Sequence, residues 1–219
     1  MMPIDLVLFD LDGTLADTAP DLAAAANRQR ADRGLEPLPI EVLRPMASHG
    51  ARGLVGRALG LAPGDSDYEA ARLEFLAHYE QALCVHTKLF SGMAETLARL
   101  EAEGCRWGVV TNKVRRFTEP LIERLGLRQR AACVVSGDTT AHAKPHPAPL
   151  LHALQVCGVD SRHCIYVGDD LRDVQAGQAA GVGTVVAAYG YLGEQTDVTA
   201  WGCDHVIESP EQLLPLIGL

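Results

Sequence analysis

"VLFDLDGTLADT", residues 7–18, starts as an apolar run and ends it on two carboxylates, Asp10 and Asp12, with only Leu11 between them. A buried strand hides apolar side chains, and acids are ordinarily left to solvent. Asp12-Gly13 is a common turn dipeptide, so the pair could simply reverse the chain. The other reading is that two acids have been set at a strand end for chemistry. The residues at the ends of the remaining strands decide between these.

Four more short runs share the character of residues 6–10: "WGVVT" (107–111), "ACVVS" (132–136), "CIYVGD" (164–169) and "GTVVAA" (183–188). Each is continuously apolar and bounded by Gly, Asp or Ser, as expected of strands covered on both faces of a parallel sheet. Helical patterns separate the later ones, with Gly126, Gly158 and Gly181 placed as helix stops. Strands alternating with helices predict an α/β fold, a doubly wound parallel sheet with right-handed crossovers. "DHVIESPEQLLPLI" adds an edge strand and a closing helix.

The rhythm breaks once. Roughly a hundred residues separate the first two strands, far more than one crossover needs. A capping-box-like Thr18-x-x-Asp21 opens a helix that stops at Gly34, and residues 67–83 set Leu73, Leu76, Ala77 and Leu83 on one helical face. Residues 17–87 are therefore expected to form an inserted all-helical subdomain, with 1–16 and 88–219 as the α/β core. "SHGARGLV" (48–55) interrupts the helical pattern between them with two glycines.

In open parallel sheets, ligands bind beyond the carboxyl ends of the strands. Here those ends carry Asp10 and Asp12, then Thr111, Asn112 and Lys113, then Lys144 at the start of a helix, then Asp169, Asp170 and Asp173. Singly, each has a plain reading as a turn, a helix cap or a solvated side chain. Together, acids, a hydroxyl and a cation recur along one edge of an otherwise apolar sheet. Converging acids repel unless a cation or protonation compensates, and oxygen ligands of this kind suit Mg2+.

Composition narrows the partners. The net charge is −9 with no Lys/Arg run, so a nucleic-acid grip is not expected. No run of apolar residues is long enough for a membrane span. Six cysteines without C-x-x-C pairing, four of them in apolar segments expected to be buried, suggest free thiols in a reducing cytoplasm, and they lack zinc-site spacing.

"DLDGT", "VVTNK", "KPHP" and "GDDLRD" together resemble, in order, the four motifs of haloacid dehalogenase-like hydrolases of the phosphatase branch, those with a helical (C1-type) cap inserted after the first motif. The resemblance implies a Mg2+-dependent phosphatase acting on a small phosphorylated metabolite, as a monomer or homodimer. Asp10 would be the nucleophile that becomes aspartyl-phosphate, and Asp12 the general acid and base. Thr111 would bind a phosphoryl oxygen, helped by the Asn112 backbone N–H, and Lys144 would neutralise charge. Asp10, the Asp12 carbonyl and Asp169 would hold the metal, with Asp173 behind them. Asp170 stands where the family often has Ser or Thr, leaving its role open, and His146 is read as a loop residue. In the cap, Arg52 is the candidate substrate contact.

Haloacid dehalogenases themselves lack the second aspartate and the acidic fourth motif. Sugar-phosphate mutases of the branch carry a cap histidine where this chain has Leu22. Among phosphatases, size and cap type resemble enzymes acting on 2-phosphoglycolate. Stretches such as "GARGLV", "HTKLFSGMAE" and "WGCDHVIESP" are closer to those acting on N-acetylmuramic acid 6-phosphate. A reading of another class, a phospho-accepting receiver module, shares the Asp, Thr and Lys on a similar sheet but has no such insertion.

Overall fold

The computed structural model describes residues 3–193 and 197–219. Strand β1 (Leu6–Phe9) leads through a tight loop into β2 (Ala16–Asp17). Four helices follow: α1 (Ala19–Ala31), α2 (Ile40–Leu43), α3 (Gly50–Leu59) and α4 (Tyr68–Gln81). The chain returns through β3 (Lys88–Leu89), which pairs antiparallel with β2. Then come α5 (Met93–Ala102), β4 (Arg106–Val110), α6 (Arg115–Arg124), β5 (Val134–Val135) and α7 (Ala148–Cys157). The last elements are β6 (Cys164–Gly168), α8 (Leu171–Ala180), β7 (Gly183–Ala187), β8 (His205–Ile207) and α9 (Leu213–Leu216).

Six strands form one parallel sheet in the order β5-β4-β1-β6-β7-β8. β1 is central: Phe9 registers with Val109 on one side and Val167 on the other. The chain builds outward from β1 first one way and then the other, so the switch point lies at the end of β1, where the acids are. Leu6, Val7, Leu8 and Phe9 are 0–1% exposed. Each such burial stabilises by roughly 1.5–3 kcal/mol relative to exposure, so the strand that carries the acids is firmly anchored. All six cysteines are free thiols, four of them buried. No helix among the described residues is long and apolar enough to cross a membrane.

The helices between β2 and β3 correct several local expectations. α4 buries Tyr68, Ala71, Phe75 and Tyr79, while Leu73 is 54% exposed and Ala77 faces solvent. The aromatic stripe wins because larger rings bury more area against α1 and α3 than the leucines can. Thr18 and Asp21 do not form a capping box. Thr18 Oγ1 donates to Asp12 instead, and Asp21 accepts the N–H groups of Val85, His86 and Thr87, fastening the return of the chain. α1 ends at Ala31, ahead of Gly34. The "SHGARGLV" stretch breaks only at Gly50 (φ 56), after a 3-10 turn over 44–49; from Gly50 onward it is helical.

Candidate active site

The loop after β1 coils so that both acids serve one cavity. Asp10 N–H still donates to Val167 O as a strand residue would, and then Leu15 N–H and Ala16 N–H fold back onto the carbonyls of Asp10 and Leu11. Strand alternation therefore ends before Asp12, and Asp10 and Asp12 both line a cavity of about 340 Å3. Gly13 makes this loop possible. Its φ is +83, and a Cβ there would lie 2.1 Å from Asp169 Oδ2.

Lys144 is the hub. Its ammonium, almost fully buried, lies 2.9 Å from Asp10 Oδ1, 2.7 Å from Asp173 Oδ1 and 2.6 Å from the Tyr166 hydroxyl, and donates to Val110 O at 3.1 Å. Burial pulls its pKa down, but the charges of Asp10 and Asp173 more than reverse this and hold the ammonium protonated. Its main chain is pinned by Asn112, whose Oδ1 accepts from Lys144 N–H and whose Nδ2 donates to Lys144 O, both at 2.9 Å. Asn112 precedes α6, which begins only at Arg115, so its side chain here clamps the Lys144 loop. Thr111 is buried beside it and its Oγ1 accepts from Lys113 N–H.

The fourth strand end supplies the remaining acids. Asp169 Oδ1 accepts from Thr14 Oγ1 at 3.0 Å and Oδ2 from Tyr191 N–H at 2.8 Å. Gly190 lets that loop close in, since a Cβ there would meet Asp169 Cβ at 2.3 Å. Asp170 proves to be the N-cap of α8: its Oδ1 accepts from Arg172 N–H, while its own N–H donates to Asp173 Oδ2. Arg172 grips the Asp170 carboxylate with Nε and Nη2. That grip outweighs burial and lowers the Asp170 pKa.

The carboxylates of Asp10, Asp169 and Asp173 each offer an oxygen within 4.8 Å of the others. Burial pushes Asp10 up to about 6; Lys144 opposes this, and Asp173 and Asp12 add to it. Asp169 is raised well above the usual carboxylate range by burial and by the charges of Asp10 and Asp173. Two buried acids that resist ionisation beside oxygen donors fit a hard divalent cation, which would restore the charge balance.

Several contributors went unassigned in the sequence reading. Lys113 Nζ donates to Asp12 Oδ1 at 3.0 Å and lies 4.8 Å from the ring centroid of Tyr79. Its position at a strand end was the available signal. Tyr166 and Tyr191 gave none, because a strand tyrosine and a loop tyrosine are ordinary core residues. Tyr191 holds Asp169 through its N–H, while its hydroxyl accepts the first N–H groups of the α1 segment from Thr18 and Ala19. Arg52 is exposed and lines an adjoining cavity with His49 and Arg172, outside the one over the carboxylates. His146 is a loop residue whose Nδ1 accepts from Ala148 N–H. Leu22 is buried and lines the main cavity.

Residues 7–187 match the family model of the haloacid dehalogenase-like hydrolases. The chain belongs to that family. It is 43% identical over 216 residues, 99% of this chain and 97% of the relative, to an N-acetylmuramic acid 6-phosphate phosphatase of Pseudomonas putida. It is 44% identical over 208 residues, 94% of this chain and 93% of the relative, to a phosphoglycolate phosphatase of Xanthomonas campestris. A crystal structure of a predicted phosphoglycolate phosphatase from Haemophilus somnus superposes with a TM-score of 0.85 at 27% identity, covering 99% of both chains. This haloacid dehalogenase-like hydrolase is accordingly an enzyme, a phosphatase, and the receiver-module reading is set aside.

Proposed function

We propose that the protein is a Mg2+-dependent phosphomonoesterase that forms an aspartyl-phosphate on Asp10, and that its substrate is N-acetylmuramic acid 6-phosphate. The observation that carries the reaction is the buried Lys144 ammonium held between Asp10 and Asp173, with Asp12 in the same cavity. A phosphate dianion seated there meets a carboxylate nucleophile together with the cation that offsets their repulsion. Asp10, Asp169 and the Asp12 carbonyl would hold the metal, which supplies further neutralisation of the phosphoryl oxygens, and Asp173 keeps Lys144 in place.

Asp10 attacks phosphorus as the ester P–O bond breaks. Asp12 gives its proton to the departing alkoxide. Asp12 then takes a proton from the water that attacks the aspartyl-phosphate, releasing inorganic phosphate and restoring the Asp10 carboxylate. Thr111 and Lys144 hold phosphoryl oxygens through both steps. Residues 17–87 act as the cap that excludes bulk water, over a core of 1–16 and 88–219. Free thiols suit a reducing cytoplasm.

The cavity of about 340 Å3 supports the larger substrate, because part of its lining is carbon, from Leu22, Phe75, Leu76, Val114 and Phe117. An amino sugar would fill it, whereas a two-carbon acid would leave that part bare. 2-Phosphoglycolate is the second reading, favoured by the Xanthomonas relative. Mutase activity is not proposed, since Leu22 offers no proton carrier. Mg2+-dependent phosphate release, absent in Asp10→Asn, tests the reaction. A kcat/KM preference of about tenfold or more for the sugar phosphate over 2-phosphoglycolate tests the substrate.

A further inference from the structure

The cavity holds a further polar pair, Lys113 and Tyr79, beside Asp12. Tyr79 reaches the cavity from α4 and is 1% exposed. Its ring lies between Phe75, stacked at 6.5 Å, and Phe117, tilted at 5.5 Å. Its hydroxyl is buried; the Lys113 ammonium interacts with its oxygen, and no acceptor for its proton is found among the described residues. Burial keeps that phenol protonated, raising it to about 12 against the opposing charge of Lys113. Beside it, Lys113 carries three N–H donors, and Asp12 Oδ1 is the acceptor it reaches among carboxylates. Native proteins rarely leave a buried hydroxyl proton without an acceptor, and such a proton in the lining of a cavity points to a bound partner.

The proposed reaction fixes how an ester lies here. The phosphoryl group sits over Asp10 and Lys144, and the ester oxygen faces Asp12. Lys113 touches that same Asp12 carboxylate, so the first carbons of the leaving group pass Lys113 and then Tyr79. We infer that Lys113 and Tyr79 form a leaving-group subsite that takes a neutral oxygen, a hydroxyl or ring ether, of a sugar alcohol whose ring lies on the wall of Phe75 and Phe117. A carboxylate is disfavoured at this point because, once Asp12 has given its proton to the leaving group, the Asp12 carboxylate paired with Lys113 would face it. This subsite rests on the phosphatase reading above and assigns the residues that select a sugar phosphate over a small phosphorylated acid.

Tyr79→Phe removes the hydroxyl and keeps the ring, and Lys113→Gln removes the ammonium while retaining a donor. Both are assayed against N-acetylmuramic acid 6-phosphate and phenyl phosphate, whose leaving group has no further oxygen. The subsite predicts that the ratio of kcat/KM between the two esters falls about tenfold in Tyr79→Phe, about 1.4 kcal/mol of transition-state binding. Lys113→Gln should lower the same ratio. The melting temperature of ligand-free Tyr79→Phe should equal or exceed that of the parent, since the proton of the lost hydroxyl has no acceptor among the described residues and Lys113 keeps Asp12. An unaltered ratio in both variants, or a lowered melting temperature in Tyr79→Phe, overturns the subsite. A parent protein that releases no phosphate from either ester overturns the reaction on which it rests.

Discussion

Arg172, at the start of α8, donates through Nη2 to the main-chain carbonyl of Ser48 at 2.6 Å. Ser48 lies in the turn that precedes α3, so this bond ties the acid-bearing fourth strand end to the helical insertion. The same guanidinium holds Asp170 with two bonds, a planar fork that lysine cannot reproduce. Arg172→Lys is expected to raise KM several-fold and leave kcat less affected, since the charge stays but the tie to Ser48 goes. Because the side chain is partly exposed, the loss of stability should be only about 1 kcal/mol. A KM equal to the parent's would show that this tie does not position the insertion.

Lys144→Met should be far more damaging. It leaves Asp10 and Asp173 buried without their cation, and breaking a buried pair costs roughly 3–5 kcal/mol. Chemical denaturation should show that loss, and phosphate release should drop by at least about a hundredfold, the scale of removing one preorganised charge. Activity within a few-fold of the parent would remove Lys144 from the proposed chemistry.

Protonation of Asp10 gives a pH signature in metal-free protein. Its folded pKa, about 6, lies above the ordinary aspartate value of 3.8, so the folded state holds the proton more tightly than the unfolded chain. The stability this contributes is present at low pH and is lost as pH rises through about 6. Asp169, raised for the same reason, acts in the same direction. Mg2+ should therefore raise the melting temperature more at about pH 7.5 than at about pH 5, where protonated acids bind it poorly. In Asp10→Asn the metal-free melting temperature should fall less than the parent's between those two conditions. An equal Mg2+ effect at both would contradict the assigned carboxylate site.

Gly13→Ala tests the loop that aligns the acids. The substitution imposes a positive φ on a side chain and drives its Cβ into Asp169 Oδ2. Backbone strain alone costs about 1–3 kcal/mol, and moving Asp169 should weaken Mg2+ binding as read by calorimetry. Wild-type Mg2+ affinity in this variant would mean that Asp169 is not a ligand.

The sheet and its four strand ends were legible in the sequence because buried parallel strands must be continuously apolar. Polar residues at their ends then stand out, as Asp10, Thr111 and Asp169 do, whereas Lys144, expected at a helix start, lies in the loop between β5 and α7. Their convergence follows from topology, since parallel strands in one sheet deliver their carboxyl ends to one edge. Lys113 was less legible, because nothing in "TNK" says that its ammonium turns to Asp12.

What the sequence by itself determined is therefore the α/β class, the long helical interruption, the family resemblance and the polar residues that gather at one edge of the sheet. Each of these is written in local pattern: period, punctuation and motif order. Only the tertiary structure decided which face of α4 is buried, that Thr18 and Asp21 bond away from their helix, and that Asp170 caps α8. It also decided that Tyr79 meets Lys113. The physical reason is the same throughout. A side chain with several partners in reach takes the one that packing brings nearest, and partners far apart in sequence are brought together only by folding.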